Sequence, residues 1–207
     1  MNDKIAQTLL KIEAVKLSPE KPFTWASGWH SPIYCDNRKI LSFPEDRNMV
    51  AETFAKTIKE HFPEAEIVAG VATGAIAWGV LAAEKLNLPA IYIRSSKKDH
   101  GMTNQIEGLY KPGQKVVVVE DLISTGGSSL LAVDALRSEG VEVVGMVAIF
   151  TYQFNVSIEA FKKADVKLLT LSSYSSLIEE AKNEGYISPE QISILSSWRE
   201  HPDTWGK

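Results

Sequence analysis

Short apolar runs alternate with helical segments through the middle of the chain, and this alternation constrains the fold more than any other feature. The runs are rich in Val and Ile and lack a polar residue at every second position, which is typical of strands buried on both faces. They are Ile67–Val71, Ala90–Ile93, Val116–Val119, Val143–Phe150 and Val166–Leu171, and helical segments occur at Ala75–Leu86, Ser128–Glu139 and Ile158–Lys163. The pattern predicts an α/β fold in which helices flank a mostly parallel central sheet.

Further helices are predicted at both ends of this region. Asp3 is placed to cap an amphipathic helix, and a second helix is predicted from Ser42, because Ser42 and Glu45 have the spacing of a capping box. Two more helices are expected over 172–185 and 188–198, the second with Ser188 as its cap and Pro189 and Gln191 as further start signals. Residues 22–38 combine Gly, Pro, Ser and aromatic residues without a sustained period, which predicts a loop with one short strand at Ile33–Cys35.

Length and charge exclude several classes of protein. A chain of 207 residues is expected to form a single domain, residues 1–207. Its net charge of −4 argues against a nucleic-acid partner, because phosphate backbones are bound by basic surfaces. Charges interrupt every apolar run near the N-terminus, so no signal peptide or membrane span is predicted there. Cys35 is the only cysteine and cannot form an internal disulfide, which favours a cytoplasmic protein.

One long connection stands out from this regular pattern. Between Ile93 and Lys115 the sequence is polar and contains glycine, and unstructured loops of this length usually bind or cover ligands. Arg94, Lys98 and His100 lie in it, with Lys97, and such a basic cluster suits a highly charged anion. A solvated surface loop explains an isolated basic cluster about equally well.

The segment VVVVEDLISTGGSS, residues 116–129, carries the strongest functional signal. Its buried strand is predicted to end in two carboxylates, Glu120 and Asp121, and ligands of open α/β sheets bind at the carboxyl ends of strands. Small and hydroxyl residues then lead into a helix, whose N-terminus favours an anion. This layout favours a phosphate in the turn and sugar hydroxyls on the carboxylates. Each half alone is more simply read as an ordinary capped loop or a pair of solvated acids, but the combination favours a site.

Two nucleotide-binding motifs are missing from the chain. It has no G-x-x-x-x-G-K-[ST] segment, so an ATPase would lack its phosphate loop. No G-x-G-x-x-G follows a strand, which removes the dinucleotide fingerprint.

Residues 116–128 resemble the phosphoribosyl-pyrophosphate motif of type I phosphoribosyltransferases, with its hydrophobic run, two acids and Thr/Gly-rich turn. The resemblance implies that family's fold, with a small N-terminal hood formed mainly by residues 1–40. It also implies that the acids contact the ribose and that the turn holds the 5-phosphate. The residues matched to this substrate are Glu120, Asp121, Leu122, Ile123, Ser124, Thr125, Gly126, Gly127 and Ser128, together with Thr73 and Gly74 in a segment similar to the family's pyrophosphate loop.

Two other segments are similar to the orotate phosphoribosyltransferases of this family. Residues 23–38 resemble their hood, and residues 94–101 resemble their catalytic loop. The match implies that Arg94, Lys98 and His100 contact phosphoribosyl pyrophosphate and act in catalysis with Asp121, and that Ser124 also contacts orotate.

The match departs from the family pattern at three places. Ala26 stands where many members have Lys, and Ser95 stands where many have a second loop Lys, with Lys97 nearby. No Arg occurs at residues 150–154, where some members use one to hold the orotate carboxylate. Trp25, Trp29 and Tyr152 remain candidates for contact with the base.

The resemblance implies a reaction and its requirements. Orotate would displace pyrophosphate from phosphoribosyl pyrophosphate, giving orotidine 5′-phosphate in the synthesis of UMP. Mg²⁺ is the expected cofactor and would be held mainly by the substrate's diphosphate rather than by protein ligands. A homodimer with shared active sites is also implied. Transfer to a purine base, and a regulator that only senses phosphoribosyl pyrophosphate, remain the alternatives.

Overall fold

The computed structural model describes residues 3–25, 27–94 and 105–206. The helices in these ranges are α1 (Lys4–Lys11), α2 (Pro44–His61), α3 (Ile76–Leu86), α4 (Gly127–Ser138), α5 (Asn155–Lys163), α6 (Tyr174–Asn183) and α7 (Pro189–Glu200), with a 3₁₀ helix at Asn37–Ser42. The strands are β1 (Val15–Leu17), β2 (Phe23–Thr24), β3 (His30–Ser31), β4 (Ile33–Cys35), β5 (Ile67–Val71), β6 (Ala90–Ile93), β7 (Ile106–Glu107), β8 (Lys115–Ile123), β9 (Glu142–Thr151) and β10 (Leu168–Ser173).

The central sheet confirms the predicted α/β architecture. Its six strands lie in the order β10-β9-β8-β5-β6-β7, and all neighbours are parallel except β6 and β7. The antiparallel strand β7 lies within the connection that the sequence predicted to be unstructured. It pairs Ile106 with Ile93.

The sheet is buried on both faces by two separate hydrophobic clusters. Successive residues of β8 alternate between them, because side chains of a strand point to opposite faces. Val117 and Val119 pack with α1, α2, α3, α6 and α7, whereas Val116 and Val118 pack with α4 and α5. Continuous apolar runs were therefore the correct signal for these strands.

The helix ends agree with the predicted caps in two of three cases. The Asp3 side chain accepts hydrogen bonds from two amides of α1, and Ser188 forms a capping box with Gln191 at α7. The cap predicted at Ser42 is wrong. The chain is already 3₁₀-helical up to Ser42, and α2 begins after Phe43 without a side-chain cap. Pro44 occupies the first position of α2, where the missing N–H of proline costs no intrahelical hydrogen bond.

The hood packs against the C-terminal end of the chain. It contains two antiparallel strand pairs, β1 with β4 and β2 with β3. The indole N–H of Trp198 in α7 donates to the carbonyl of His30 at 3.1 Å, and the rings of Trp198 and Trp25 meet edge to face at 5.6 Å. Residues from the two ends of the chain thus pack against each other. No helix in the described ranges is long and apolar enough to cross a membrane.

Candidate active site

Two clefts lie side by side where the central strands end. The first, the polar cleft, has a volume of about 280 Å³. The second, the aromatic cleft, measures about 250 Å³. Cys35 and Leu122 line both clefts, so the two clefts adjoin at these residues. The polar cleft is further lined by Asp36, Arg38, Val71, Ala72, Thr73, Gly74, Glu120, Asp121 and Ser128, and the aromatic cleft by Thr24, Trp25, Tyr34, Ser124 and Tyr152.

The two acids lie within β8 rather than after it, so the predicted end of this strand is wrong. Parallel pairing with β9 continues through Glu120 and Leu122 to Ile123, opposite Thr151. This continuation keeps the alternation of the strand, and neighbouring side chains therefore point to opposite faces. The two carboxyl groups consequently have different surroundings, although both line the polar cleft.

Glu120 is the more enclosed of the two acids. It is only 5% exposed, and its Oε2 accepts a hydrogen bond from the Ser129 hydroxyl at 2.9 Å. Its Oε1 accepts from the backbone N–H of Asp121 at 3.0 Å. Burial raises the pKa of Glu120, and the adjacent Asp121 charge raises it further. Each of its carboxylate oxygens thus accepts one hydrogen bond from the protein, and Glu120 still lines the polar cleft.

Asp121 lies against the turn that follows β5. A Cβ atom added at Gly74 would collide with the Asp121 carboxylate, so a larger residue at this position would displace that side chain. Burial raises the pKa of Asp121, and the positive charge of Arg38 opposes that shift. The backbone carbonyl of Asp121 accepts a 2.6 Å hydrogen bond from the amide of Asn37, which is almost fully buried in the 3₁₀ helix. The hood is thereby tied directly to the acid-bearing strand.

The turn at residues 72–74 presents free backbone donors. Its Ala72–Thr73 peptide bond is cis, and the N–H of Ala72 donates to Ile93 at 2.7 Å. The N–H groups of Thr73 and Gly74 have no partner among the described residues. Converging free amides of this kind bind anions.

The start of α4 also presents free backbone N–H groups. Gly126 is the N-cap with φ +84°, and no side chain caps the helix. The backbone N–H groups of residues 125–128 make no hydrogen bond within the described part of the chain. An uncapped helix N-terminus with free amides is a natural site for a phosphate group, because the helix dipole adds to their attraction.

The structure brings together most of the residues predicted to bind substrate. Glu120, Asp121, Leu122, Ser128, Thr73 and Gly74 line the polar cleft, Ser124 lines the aromatic cleft, and Thr125, Gly126 and Gly127 form the turn into α4. The Ile123 side chain instead lies in the hydrophobic core, fully buried, so only its backbone is available.

The basic residues predicted from the long connection are only partly described. Arg94 follows β6, and one of its guanidinium nitrogens lies 3.7 Å from the Glu107 carboxylate. It is not among the residues that line the polar cleft. Lys98 and His100 lie outside the described residues, as do Ala26, Ser95 and Lys97.

Sequence reasoning missed Asn37, Cys35 and Trp198 as parts of this region. Asn37 follows the Asp36 cap, and its spacing carries no signal for a contact with a strand 84 residues away. Trp198 reaches the aromatic residues behind the cleft from the C-terminal helix, a contact that no local pattern can predict.

Comparison with known proteins agrees with this geometry. Residues 40–179 match the family model described as phosphoribosyl transferase domain. The chain therefore belongs to the phosphoribosyltransferase family. Its mostly parallel central sheet agrees with the fold expected for that family.

Full-length relatives define the branch of this family. The orotate phosphoribosyltransferase of Phocaeicola vulgatus is 57% identical over 200 residues, covering 97% of this chain and 94% of that protein. The Streptococcus mutans protein of the same name is 55% identical over 201 residues, covering 97% and 96%. Among solved structures, orotate phosphoribosyltransferase from Aeropyrum pernix is 27% identical with a TM-score of 0.77, covering 89% of this chain and 99% of that one.

Proposed function

We propose that this protein transfers the ribose 5-phosphate group of phosphoribosyl pyrophosphate to orotate, forming orotidine 5′-phosphate and pyrophosphate. The observation that carries the proposal is that the polar and the aromatic cleft adjoin at Cys35 and Leu122, which line both. A phosphorylated sugar in the first cleft and a planar base in the second would lie next to each other there. The relatives of similar length that bear the name orotate phosphoribosyltransferase support this choice of base.

In this proposal the polar cleft holds phosphoribosyl pyrophosphate by its three parts. The free amides at residues 125–128 bind the 5-phosphate, and Asp121 accepts hydrogen bonds from the ribose hydroxyls. Glu120 lines the same cleft and is proposed to contact the ribose as well, held in place by the Ser129 hydroxyl. The free amides of Thr73 and Gly74 receive the diphosphate.

The reaction exchanges one bond at the sugar for another. The bond from C1 to the diphosphate oxygen breaks, and its electron pair leaves with pyrophosphate. A ring nitrogen of orotate forms the new bond to C1 and gives up its proton, which pyrophosphate or water takes up. Positive charge develops on the sugar beside Asp121, where a carboxylate stabilises it. Arg94, Lys98 and His100 are proposed to neutralise the departing diphosphate, which requires the long connection to reach the polar cleft.

Phosphoribosyltransferases that use this substrate generally depend on Mg²⁺. In the described ranges no three His, Cys, Asp or Glu side chains are grouped to hold a metal ion. The carboxylate oxygens of the polar cleft are nevertheless of the type that Mg²⁺ accepts. We therefore propose that Mg²⁺ is held mainly by the diphosphate and offsets its negative charge, with Asp121 close by.

The enzyme is further proposed to be a cytoplasmic homodimer with shared active sites and to form one domain over residues 1–207. Most soluble oligomers are symmetric homodimers, so this arrangement needs no second kind of chain. No nucleic acid or membrane takes part in the proposed reaction.

An absorbance assay tests the proposal. Purified protein is mixed with phosphoribosyl pyrophosphate, Mg²⁺ and orotate, and the ultraviolet absorbance of the base is followed, with hypoxanthine and uracil in parallel. A change with orotate alone is the expected result. Turnover of hypoxanthine instead would assign a purine transferase, and binding of phosphoribosyl pyrophosphate without turnover of any base would assign a regulator.

A further inference from the structure

One tyrosine hydroxyl at the aromatic cleft has no hydrogen-bond partner among the described residues. It belongs to Tyr152, which is only 2% exposed and lies directly after β9. Its backbone N–H donates to the carbonyl of Ile123 at 3.1 Å, but its side-chain hydroxyl makes no hydrogen bond in the described part of the chain. Because Tyr152 lines the aromatic cleft, a hydroxyl that no described protein group uses is available to a ligand bound there.

The ring of Tyr152 is held in place by its aromatic neighbours. Trp25 lies 5.1 Å away between ring centroids, and Phe154 is stacked on it at 5.4 Å. Phe150 and Trp198 contact it edge-on at 5.5 and 5.6 Å. Because the ring is enclosed on several sides, the position of the hydroxyl is fixed. The Tyr152 side chain therefore loses little conformational freedom when a ligand accepts a hydrogen bond from it.

The aromatic cleft offers no formal charge from its described residues. Its lining consists of hydroxyl, aromatic, thiol and aliphatic side chains, and residues 150–154 contain no Arg. A base that carries a carboxylate and ring carbonyls must therefore be recognised there by neutral donors. Burial raises the pKa of Tyr152, so its hydroxyl keeps the proton that a donor needs.

We propose that the Tyr152 hydroxyl donates a hydrogen bond to an oxygen atom of the bound pyrimidine base and so helps to select it. This assignment rests on the proposed function, because it takes orotate to be the occupant of the aromatic cleft.

Substitution of a single oxygen atom tests the assignment. Tyr152→Phe keeps the ring and removes the hydroxyl, and we expect the KM for orotate to rise ~10-fold, with kcat and the KM for phosphoribosyl pyrophosphate unchanged. Tyr174→Phe is the matched control, because that buried hydroxyl donates to the Leu195 carbonyl at 2.9 Å and does not line the cleft. It should lower thermal stability and leave the KM for orotate at the wild-type value.

A second measurement uses the wild-type protein with a set of orotate analogues. The proposal can therefore be tested even if Tyr152→Phe does not fold. In these orotate analogues one oxygen at a time is replaced by sulfur, or the carboxylate is replaced by a carboxamide. Only the analogue altered at the oxygen that accepts from Tyr152 should bind markedly more weakly than orotate. In Tyr152→Phe that selectivity should disappear.

An unchanged KM for orotate in folded Tyr152→Phe overturns the assignment while the proposed function stands. Equal affinity of the wild-type protein for all the analogues also overturns it. If the wild-type protein does not turn over orotate at all, the proposed function fails and the assignment to Tyr152 falls with it.

Discussion

The neighbouring acids of β8 show how much environment separates two residues of similar chemistry. Glu120 is enclosed and hydrogen-bonded to Ser129, whereas Asp121 lies against the glycine of the 72–74 turn. The sequence predicted both as ribose ligands, because a pair of adjacent acids gives no indication of which one is buried. The two acids differ in their surroundings because β8 continues past them, and adjacent residues of a strand point to opposite faces of the sheet.

Asp121→Asn is expected to lower kcat/KM for phosphoribosyl pyrophosphate by at least ~10-fold, because charged hydrogen bonds are worth about 1.5–3 kcal/mol. The amide retains the shape of the side chain and removes the charge that faces the sugar. Steady-state kinetics of the purified variant measure the effect. Asp134→Asn is the control, since Asp134 is exposed in the middle of α4. Equal losses in both variants would remove the ribose role from Asp121.

The raised pKa of Glu120 predicts a pH-dependent stability. Between its usual value of 4.5 and the raised value, the folded protein binds more protons than the unfolded chain, so the free energy of unfolding falls as pH rises. Glu120→Gln does not titrate and escapes this loss. The free energy of unfolding of Glu120→Gln minus that of wild type should therefore be larger at pH 8 than at pH 5. The expected increase is on the order of 1 kcal/mol or more.

Thermal unfolding of both proteins at the two pH values checks this prediction. Glu159→Gln, an exposed site on α5, provides the comparison and should show no such difference. A constant offset between Glu120→Gln and wild type at both pH values contradicts the burial of an ionisable carboxyl group here.

At the scale of elements, the parallel strands and their helices were predictable because each carries its own periodicity. Continuous apolar runs marked β5, β6, β8 and β9, and Asp3 and Ser188 marked two helix starts. Strand β7 was not predictable, since two residues pair only because β6 offers them an open edge. Similarly, the end of β8 is set by its pairing with β9 and not by the first polar residue.

Gly126→Ala is expected to damage the phosphate turn at the start of α4. The residue has φ +84°, and an added Cβ would lie 2.9 Å from the ring of Phe161. We expect a stability loss of about 1–2 kcal/mol from the backbone conformation, and in addition a higher KM for phosphoribosyl pyrophosphate. Thermal unfolding and steady-state kinetics report the two effects separately.

Gly185→Ala is the matched control for that variant. Gly185 has a similar φ of +75°, but an added Cβ meets no atom within 4 Å, and the residue follows α6 away from both clefts. It should lose stability with no change in KM. If both variants keep the wild-type KM, the turn does not hold the 5-phosphate.

At the scale of the whole molecule, the polar cleft was largely predictable and the aromatic cleft was not. The acids and the turn that follows them occupy one continuous segment, so their combination can be read directly. The aromatic surroundings bring Trp25, Tyr152 and Trp198 together from three distant parts of the chain. Such contacts depend on the packing of the hood against α7, which no local pattern encodes.

A mixing experiment tests the proposed sharing of active sites between two copies. Lys98→Ala and Asp121→Asn are each expected to be nearly inactive as homodimers. If Lys98 acts in the neighbouring copy's site, random re-association of equal amounts should restore about a quarter of wild-type activity, because half of the dimers then carry one intact site. Activity assays before and after mixing measure this. No recovery, with mixed dimers demonstrated, would confine each site to one copy.

Cys35 and Leu122, which line both clefts, come from different parts of the chain. The acids, the 72–74 turn and the start of α4 fall within the segment 40–179 that matches the family, whereas Thr24, Trp25, Tyr34 and Cys35 precede it. The aromatic cleft is nevertheless completed from inside that segment by Ser124 and Tyr152, and the polar cleft from outside it by Asp36 and Arg38. A lineage that changed its acceptor base would therefore need coordinated substitutions on both sides of residue 40, because neither part of the chain encloses the base alone.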